Sequence, residues 1–115
     1  MSGRAYAVLQ FGNPYKAVPS RELDTWLHHR FFRDAQPEPL PYSTDDKAAE
    51  KLRARLKSTY GHPVEIGTTQ LRNARFFARL ESGPSTSTET LADTLSLAIC
   101  RLALVVSSKR DPATQ

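Results

Sequence analysis

Residues 95–106, with the sequence LSLAICRLALVV, constrain the fold of this chain more than any other segment. Together with Leu91, the large side chains recur at helical spacing on one face, and further aliphatic residues surround the sides. We therefore predict a helix over residues 89–106. A helix that is apolar on nearly every side must be buried on nearly every side, and each buried leucine contributes about 1.5–3 kcal/mol. The segment carries Arg101 and is too short to span a bilayer, so it should form the centre of a hydrophobic core.

Two other helices are expected to cover this core. The chain has 115 residues, of which 39% are hydrophobic and 24% are charged, and this allows one globular core rather than two. Ser20 can cap a first helix, in which Leu23, Trp26, Leu27 and Phe31 follow at helical spacing. Asp45 and Asp46 place carboxylates at the start of a second helix, and Gly61 can end it in a left-handed cap.

Two segments alternate in polarity as strands do. Residues 64–68 and 75–80 are expected to pair as an antiparallel hairpin, and residues 5–11 would form an extra N-terminal strand. Residues 83–88 are small and polar, which predicts a loop that leads into the third helix. The fold class is therefore α/β of the α+β kind: a small α-β-α layered sandwich with an antiparallel hairpin and three helices.

This arrangement predicts a single α/β domain over residues 1–106. Within it, residues 1–20 form an N-terminal extension, and residues 35–42 form a connector in which proline recurs at alternate positions. Residues 107–115 are polar and are expected to fray.

Several short motifs resemble one known family. They are Pro41-Tyr-Ser-Thr-Asp45 followed by Ala48, Ala49 and Leu52, and then Ala92-Asp-Thr94 followed by Leu97-Ala-Ile-Cys-Arg-Leu-Ala103. Over residues 40–106 the chain thereby resembles the phage ABA sandwich domain family. The resemblance implies a phage or prophage origin and an α-β-α fold, without catalytic residues to carry over. The chain is also faintly similar to phage anti-defence proteins that act as sponges for nucleotide-type signals.

No residue pattern in the chain predicts catalysis. His28 and His29 are adjacent on a helix and point about 100° apart, so they cannot both bind one metal. His62 is not spaced from them in the way that metal ligands usually are. The five glycines are scattered at turns and form no phosphate-binding loop. Asp45 and Asp46 are explained by helix capping. We therefore expect no enzyme activity, no metal site and no cofactor.

The expected compartment is the host bacterial cytoplasm. Cys100 is the only cysteine, so it has no intrachain disulfide partner, and it lies in an apolar run. The first residues lack the pattern of a secretory signal, and no segment is suited to span a membrane.

The hairpin provides the leading hypothesis for a binding site. Arg75, Phe77 and Arg79 share one face of the second strand, and Arg72 and Asn73 lie in the adjacent turn. Arginine pairs with phosphate and phenylalanine can stack on a base, so these five residues would bind a small anionic, nucleotide-like ligand. Because a hairpin alone leaves its edges unpaired, we also expect a homo-oligomer with composite pockets between subunits.

Other interpretations stay open. The formal charge of +4 is compatible with anionic partners and equally with simple solubility. A basic face on the second helix would suit a nucleic-acid or protein-binding accessory factor, or would simply be solvated; it comprises Lys47, Lys51, Arg55 and Lys57. A third possibility is a structural phage protein with aromatic subunit contacts from Tyr6, Phe11, Trp26 and Phe32.

Overall fold

Three helices, one antiparallel sheet and a short 3-10 helix make up the described structure. The computed structural model describes residues 12–32, 38–71, 74–83 and 86–110. In chain order the elements are the 3-10 helix Pro14–Lys16, α1 Arg21–Phe31, α2 Asp46–Tyr60, β1 Val64–Leu71, β2 Ala74–Gly83, β3 Thr86–Ala92 and α3 Leu95–Arg110. The predicted strand at residues 5–11 and part of the proline-rich connector lie outside the described residues.

The first two helices begin and end where local capping predicts. Ser20 Oγ accepts the backbone N–H of Leu23 at 3.0 Å, which satisfies a free donor in the first turn of α1. Asp45 does the same for Ala48 at 3.3 Å at the start of α2. Gly61 ends α2 in the left-handed region with φ 79°, a conformation that glycine adopts without a steric penalty.

The sheet has a third strand, and here the sequence-based prediction was wrong. Thr86–Ala92, predicted as a loop and the start of a helix, forms β3 and pairs antiparallel with β2, so the order is β1-β2-β3. Thr88 and Thr90 are buried while Ser87 and Glu89 are exposed, the alternation of a half-buried strand. The helix prediction failed because Leu91 is also in helical phase with Leu95. The third helix starts at Leu95 and continues to Arg110, past the predicted end at residue 106.

The helices pack on one face of the sheet. α3 lies against β2 and β3, where the buried Thr90 hydroxyl donates to the carbonyl of Ala98 at 2.7 Å. α2 lies beside α3 and reaches β1 through Arg53, whose Nε donates to the Val64 carbonyl at 2.9 Å. α1 packs on α2 and α3. Residues 97–100 and 102–106 of α3 are all buried, as the apolar run predicts, and the α+β class with an antiparallel hairpin is confirmed.

A stack of rings joins the connector to the helices. The Phe32 and Tyr42 rings are parallel with their centres 5.1 Å apart, and the His28 ring is also stacked with Phe32 at 6.4 Å. Tyr42 is fully buried, and apart from an interaction with the backbone of Leu40 its hydroxyl has no hydrogen-bond partner among the described residues. Burial raises the pKa of Tyr42 above its ordinary value.

Removal of this hydroxyl should not destabilise the protein. A buried polar group without a partner costs about 1–3 kcal/mol, so we expect Tyr42→Phe to leave the free energy of unfolding unchanged or to raise it by up to about 1 kcal/mol. Urea denaturation measures the change, and Tyr42→Leu, which removes the stacked ring as well, should lower stability. A loss of more than about 1 kcal/mol in Tyr42→Phe would reveal a partner such as a buried water.

Candidate functional site

The face of the sheet that points away from α3 carries the residues predicted to bind. We call it the outer face, and it consists of Glu65 and Gly67 on β1, Arg75, Phe77, Arg79 and Glu81 on β2, and Ser87, Glu89 and Leu91 on β3. Phe77, Arg79 and Leu91 are half-buried, whereas the glutamates, Arg75 and Ser87 are exposed. Among the described helices, none packs on this face. As far as the described residues extend, the outer face is therefore open to a ligand or a partner.

A row of alternating charges crosses the outer face. Glu65, Arg79 and Glu89 lie opposite one another on the three strands. Arg79 Nη2 donates to Glu65 Oε2 at 2.5 Å, and Arg79 Nη1 lies 3.8 Å from Glu89 Oε2. The hydrogen bond to Glu65 raises the pKa of Arg79 above its ordinary value. The charge of Arg79 is thus compensated within the sheet.

Phe77 lies beside this row, over a glycine. The Arg79 guanidinium carbon is 5.6 Å from the centre of the Phe77 ring, a cation–π contact. On the opposite strand, a Cβ at Gly67 would lie 2.6 Å from Phe77 Cε1, so only glycine leaves room for the ring there. The ring therefore lies against Gly67 of the neighbouring strand and against Arg79 of its own strand.

The five predicted site residues divide into three groups. Arg75 is exposed and forms no ion pair with a described residue. Phe77 and Arg79 are on the same face as Arg75, as period-two alternation predicts, but Arg79 is held by glutamates. Arg72 and Asn73 lie outside the described residues, so their place relative to this face stays a prediction.

The described residues of the outer face include acidic side chains beside the predicted Arg75, Phe77 and Arg79. Two arginines stand there against three glutamates, Glu65, Glu81 and Glu89. Sequence reasoning missed Glu89 because β3 was predicted as loop and helix, and it missed Glu65 because the strand register was not known. The alternation of residues 86–92 was the signal that could have found Glu89. Of the two described arginines on this face, Arg75 is the one that forms no ion pair with a described residue.

Two arginines on the basic side of α2 contact other residues of the chain. The Arg55 guanidinium lies 5.1 Å above the Phe32 ring, and Arg53 pairs with Glu50 at 3.4 Å besides its bond to Val64. Lys47, Lys51 and Lys57 are exposed and form no ion pair with a described residue.

The starts of α2 and α3 border an open groove of about 720 Å³. Its lining includes the apolar residues Phe76 and Leu95 and the acidic residues Asp45, Asp46 and Asp93. The two helix starts are already capped, since Asp45 accepts from Ala48 and Thr94 Oγ1 accepts from Leu97 N at 3.2 Å. In the described parts of the chain, no group of three or more His, Cys, Asp or Glu side chains could hold a metal ion.

Several residues that the sequence analysis considered for chemistry or subunit contacts lie in or against the core. Burial raises the pKa of the Cys100 thiol well above its usual range, with a smaller contribution from Asp24, so the thiol is a packing residue rather than a nucleophile. His28 is buried in the ring stack. Phe32 is buried, and Trp26 is half-buried and packs against the core. Tyr6 and Phe11 lie outside the described residues, so the aromatic subunit contacts stay a prediction. The described helices are all too short or too polar to cross a membrane.

Comparison with known proteins gives a likeness in fold. No family model and no curated protein matches the chain. A solved structure, the 2.0 Å crystal structure of a phage protein from Bacillus cereus ATCC 14579, is similar with a TM-score of 0.62 and 19% sequence identity, over 81% of this chain and 94% of that chain. The fold is therefore one that a phage protein also has. The resemblance to the phage ABA sandwich domain family stays a prediction.

Proposed function

We propose that the protein is a non-enzymatic phage or prophage binding protein that self-associates and sequesters a small anionic, nucleotide-type signal of host anti-phage defence. The phage origin is supported by the fold shared with a Bacillus cereus phage protein. The ligand class is supported by the arrangement of Phe77 and Arg75 on the outer face. No residue is assigned a catalytic role.

One observation carries the ligand proposal: the half-buried Phe77 ring shares its face of the sheet with Arg75, which forms no ion pair with a described residue. The Phe77 ring is only half-buried, and a base that stacked on its exposed part would gain about 1–3 kcal/mol. Arg75, two residues earlier on the same strand, can donate to a phosphate in a fork. Arg79 acts as a positioning residue, because its guanidinium is bound to Glu65.

Isothermal titration against cyclic oligonucleotides and ADP-ribose isomers tests this proposal. We expect one of these to bind, and we expect Phe77→Leu and Arg75→Gln each to weaken binding at least about tenfold, which corresponds to about 1.4 kcal/mol. Lys51→Gln removes an exposed charge on α2 and should leave the affinity unchanged. If the folded protein binds none of these compounds, the ligand proposal is wrong.

The exposed lysines of α2 favour a second candidate, an accessory factor that binds nucleic acid or an acidic protein. Lys47, Lys51 and Lys57 could follow a phosphate backbone. Salt separates the two candidates, since binding to a polyanion falls steeply between low and moderate salt, whereas binding of one small ligand falls modestly. A steep salt dependence that Lys51→Gln reduces, while Phe77→Leu does not, would favour this candidate.

A further inference from the structure

The outward side chains of β2 form an ordered series of charges and one ring. From one end of the strand to the other they are Arg75, Phe77, Arg79 and Glu81. Arg75 and Glu81 are exposed, and neither forms an ion pair with a described residue. The strand therefore presents a positive end, a ring and guanidinium in the middle, and a negative end.

The charges of this series are complementary to those of a second β2 strand that runs in the opposite direction. A two-fold axis that lies between two facing sheets, perpendicular to β2 and level with Ala78, makes the two β2 strands antiparallel. It places Arg75 opposite the second copy's position 81 and Phe77 opposite the second copy's position 79, and the same pairs recur on the other side of the axis. Each unpaired arginine then meets a glutamate, and each ring meets a guanidinium.

We propose that two copies of this chain associate through their outer faces in this antiparallel arrangement. The outer face thus binds a second copy of the chain, and we infer this from the order of charges along β2. The other two-fold arrangement, with the β2 strands parallel, would bring Arg75, Arg79 and Glu81 each opposite its own copy. Like charges in direct opposition are unfavourable, so the antiparallel arrangement is selected.

The size of the face indicates a weak dimer. Three strands spaced about 4.8 Å apart give a contact only about 14 Å wide, which places it at the small end of specific interfaces. Facing sheets pack about 10 Å apart, with their strands rotated by about 30°, so the central positions on β2 meet most closely. We expect a dissociation constant in the micromolar range.

This inference rests on the self-association in the proposed function, and it adds a consequence for the ligand. A phosphate bound to Arg75 would replace the glutamate of the second copy, and a base stacked on Phe77 would displace the opposing guanidinium. Ligand capture and this dimer are therefore mutually exclusive. A saturating ligand should convert dimers into monomers.

Sedimentation equilibrium on charge-swapped variants tests the arrangement. Arg75→Glu and Glu81→Arg each create like charges at both symmetry-related pairs, so each should weaken dimerisation at least about tenfold. The double variant restores opposite charges and should return to within about threefold of the original constant. Lys51→Glu makes the same charge change as Arg75→Glu on α2 and should leave dimerisation unchanged.

The outcomes separate this inference from the ligand proposal. A folded protein that stays monomeric up to several hundred micromolar, or a folded double variant that does not regain the dimer, overturns the inference. The double variant retains the dimer but has lost the positive charge at position 75, so it should no longer bind the ligand identified by titration. If the protein binds the ligand but never dimerises, the dimer inference is wrong and the ligand proposal is still supported.

Discussion

Leu102→Ala is expected to lower the free energy of unfolding by about 2–5 kcal/mol. Leu102 is fully buried in α3, the helix that contacts β2 and β3 on one side and α2 on another. Truncation removes buried apolar surface and leaves a cavity that neighbouring elements cannot all move to fill. Small domains are stable by only about 5–15 kcal/mol, so this one change should remove a large share of the total.

Urea denaturation followed by circular dichroism measures the loss. Val18→Ala is the matched control, because Val18 is an aliphatic residue with 66% of its surface exposed, and its truncation should change stability by less than about 0.5 kcal/mol. If the two variants lost equal stability, α3 would not be the centre of the core.

Arg101→Met is expected to lower the free energy of unfolding by about 2–3 kcal/mol. Arg101 Nε donates to the carbonyl of Ala17 and Nη1 to the carbonyl of Leu91, both at 2.8 Å. Hydrogen bonds from a charged group are worth about 1.5–3 kcal/mol, and methionine keeps most of the side-chain volume while it removes both donors. Desolvation lowers the pKa of Arg101, with Asp93 acting in the opposite direction.

Arg101→Lys shows whether the two hydrogen bonds of Arg101 or only its positive charge stabilises the fold. A single ammonium cannot reproduce the two directed donors of the guanidinium, so the lysine variant should recover only part of the loss. Hydrogen exchange should show faster opening around Leu91 on β3 in the methionine variant. Full recovery by lysine would mean that the positive charge, rather than the bridge, supports this part of the fold.

Arg101 and Arg53 also bond to carbonyls of the two outer strands. Arg53 bonds Val64 on β1, and Arg101 bonds Leu91 on β3, so each outer strand has one carbonyl occupied by an arginine from a helix. Each of these carbonyls therefore already accepts one hydrogen bond from within the chain. The two arginines thereby tie β1 to α2 and β3 to α3.

The sequence predicted those elements whose signals are local. Ser20, Asp45 and Gly61 mark the ends of α1 and α2 because capping involves groups within a few residues of each other. The core position of α3 followed from its apolar run, since no other environment suits a helix without a polar face. The common face of Arg75, Phe77 and Arg79 followed from alternation along one strand.

Only the tertiary structure decided what surrounds these residues. Residues 86–92 are compatible with a helix or a strand, and pairing with β2 and burial of Thr88 and Thr90 against α3 select the strand. That choice brings Glu89 to Arg79, and the register of β1 brings Glu65 and Gly67 beside Arg79 and Phe77. Helix caps and alternation are properties of neighbours along the chain and can be read from it, whereas cross-strand neighbours depend on register and long-range packing, which the chain fixes only when it folds as a whole.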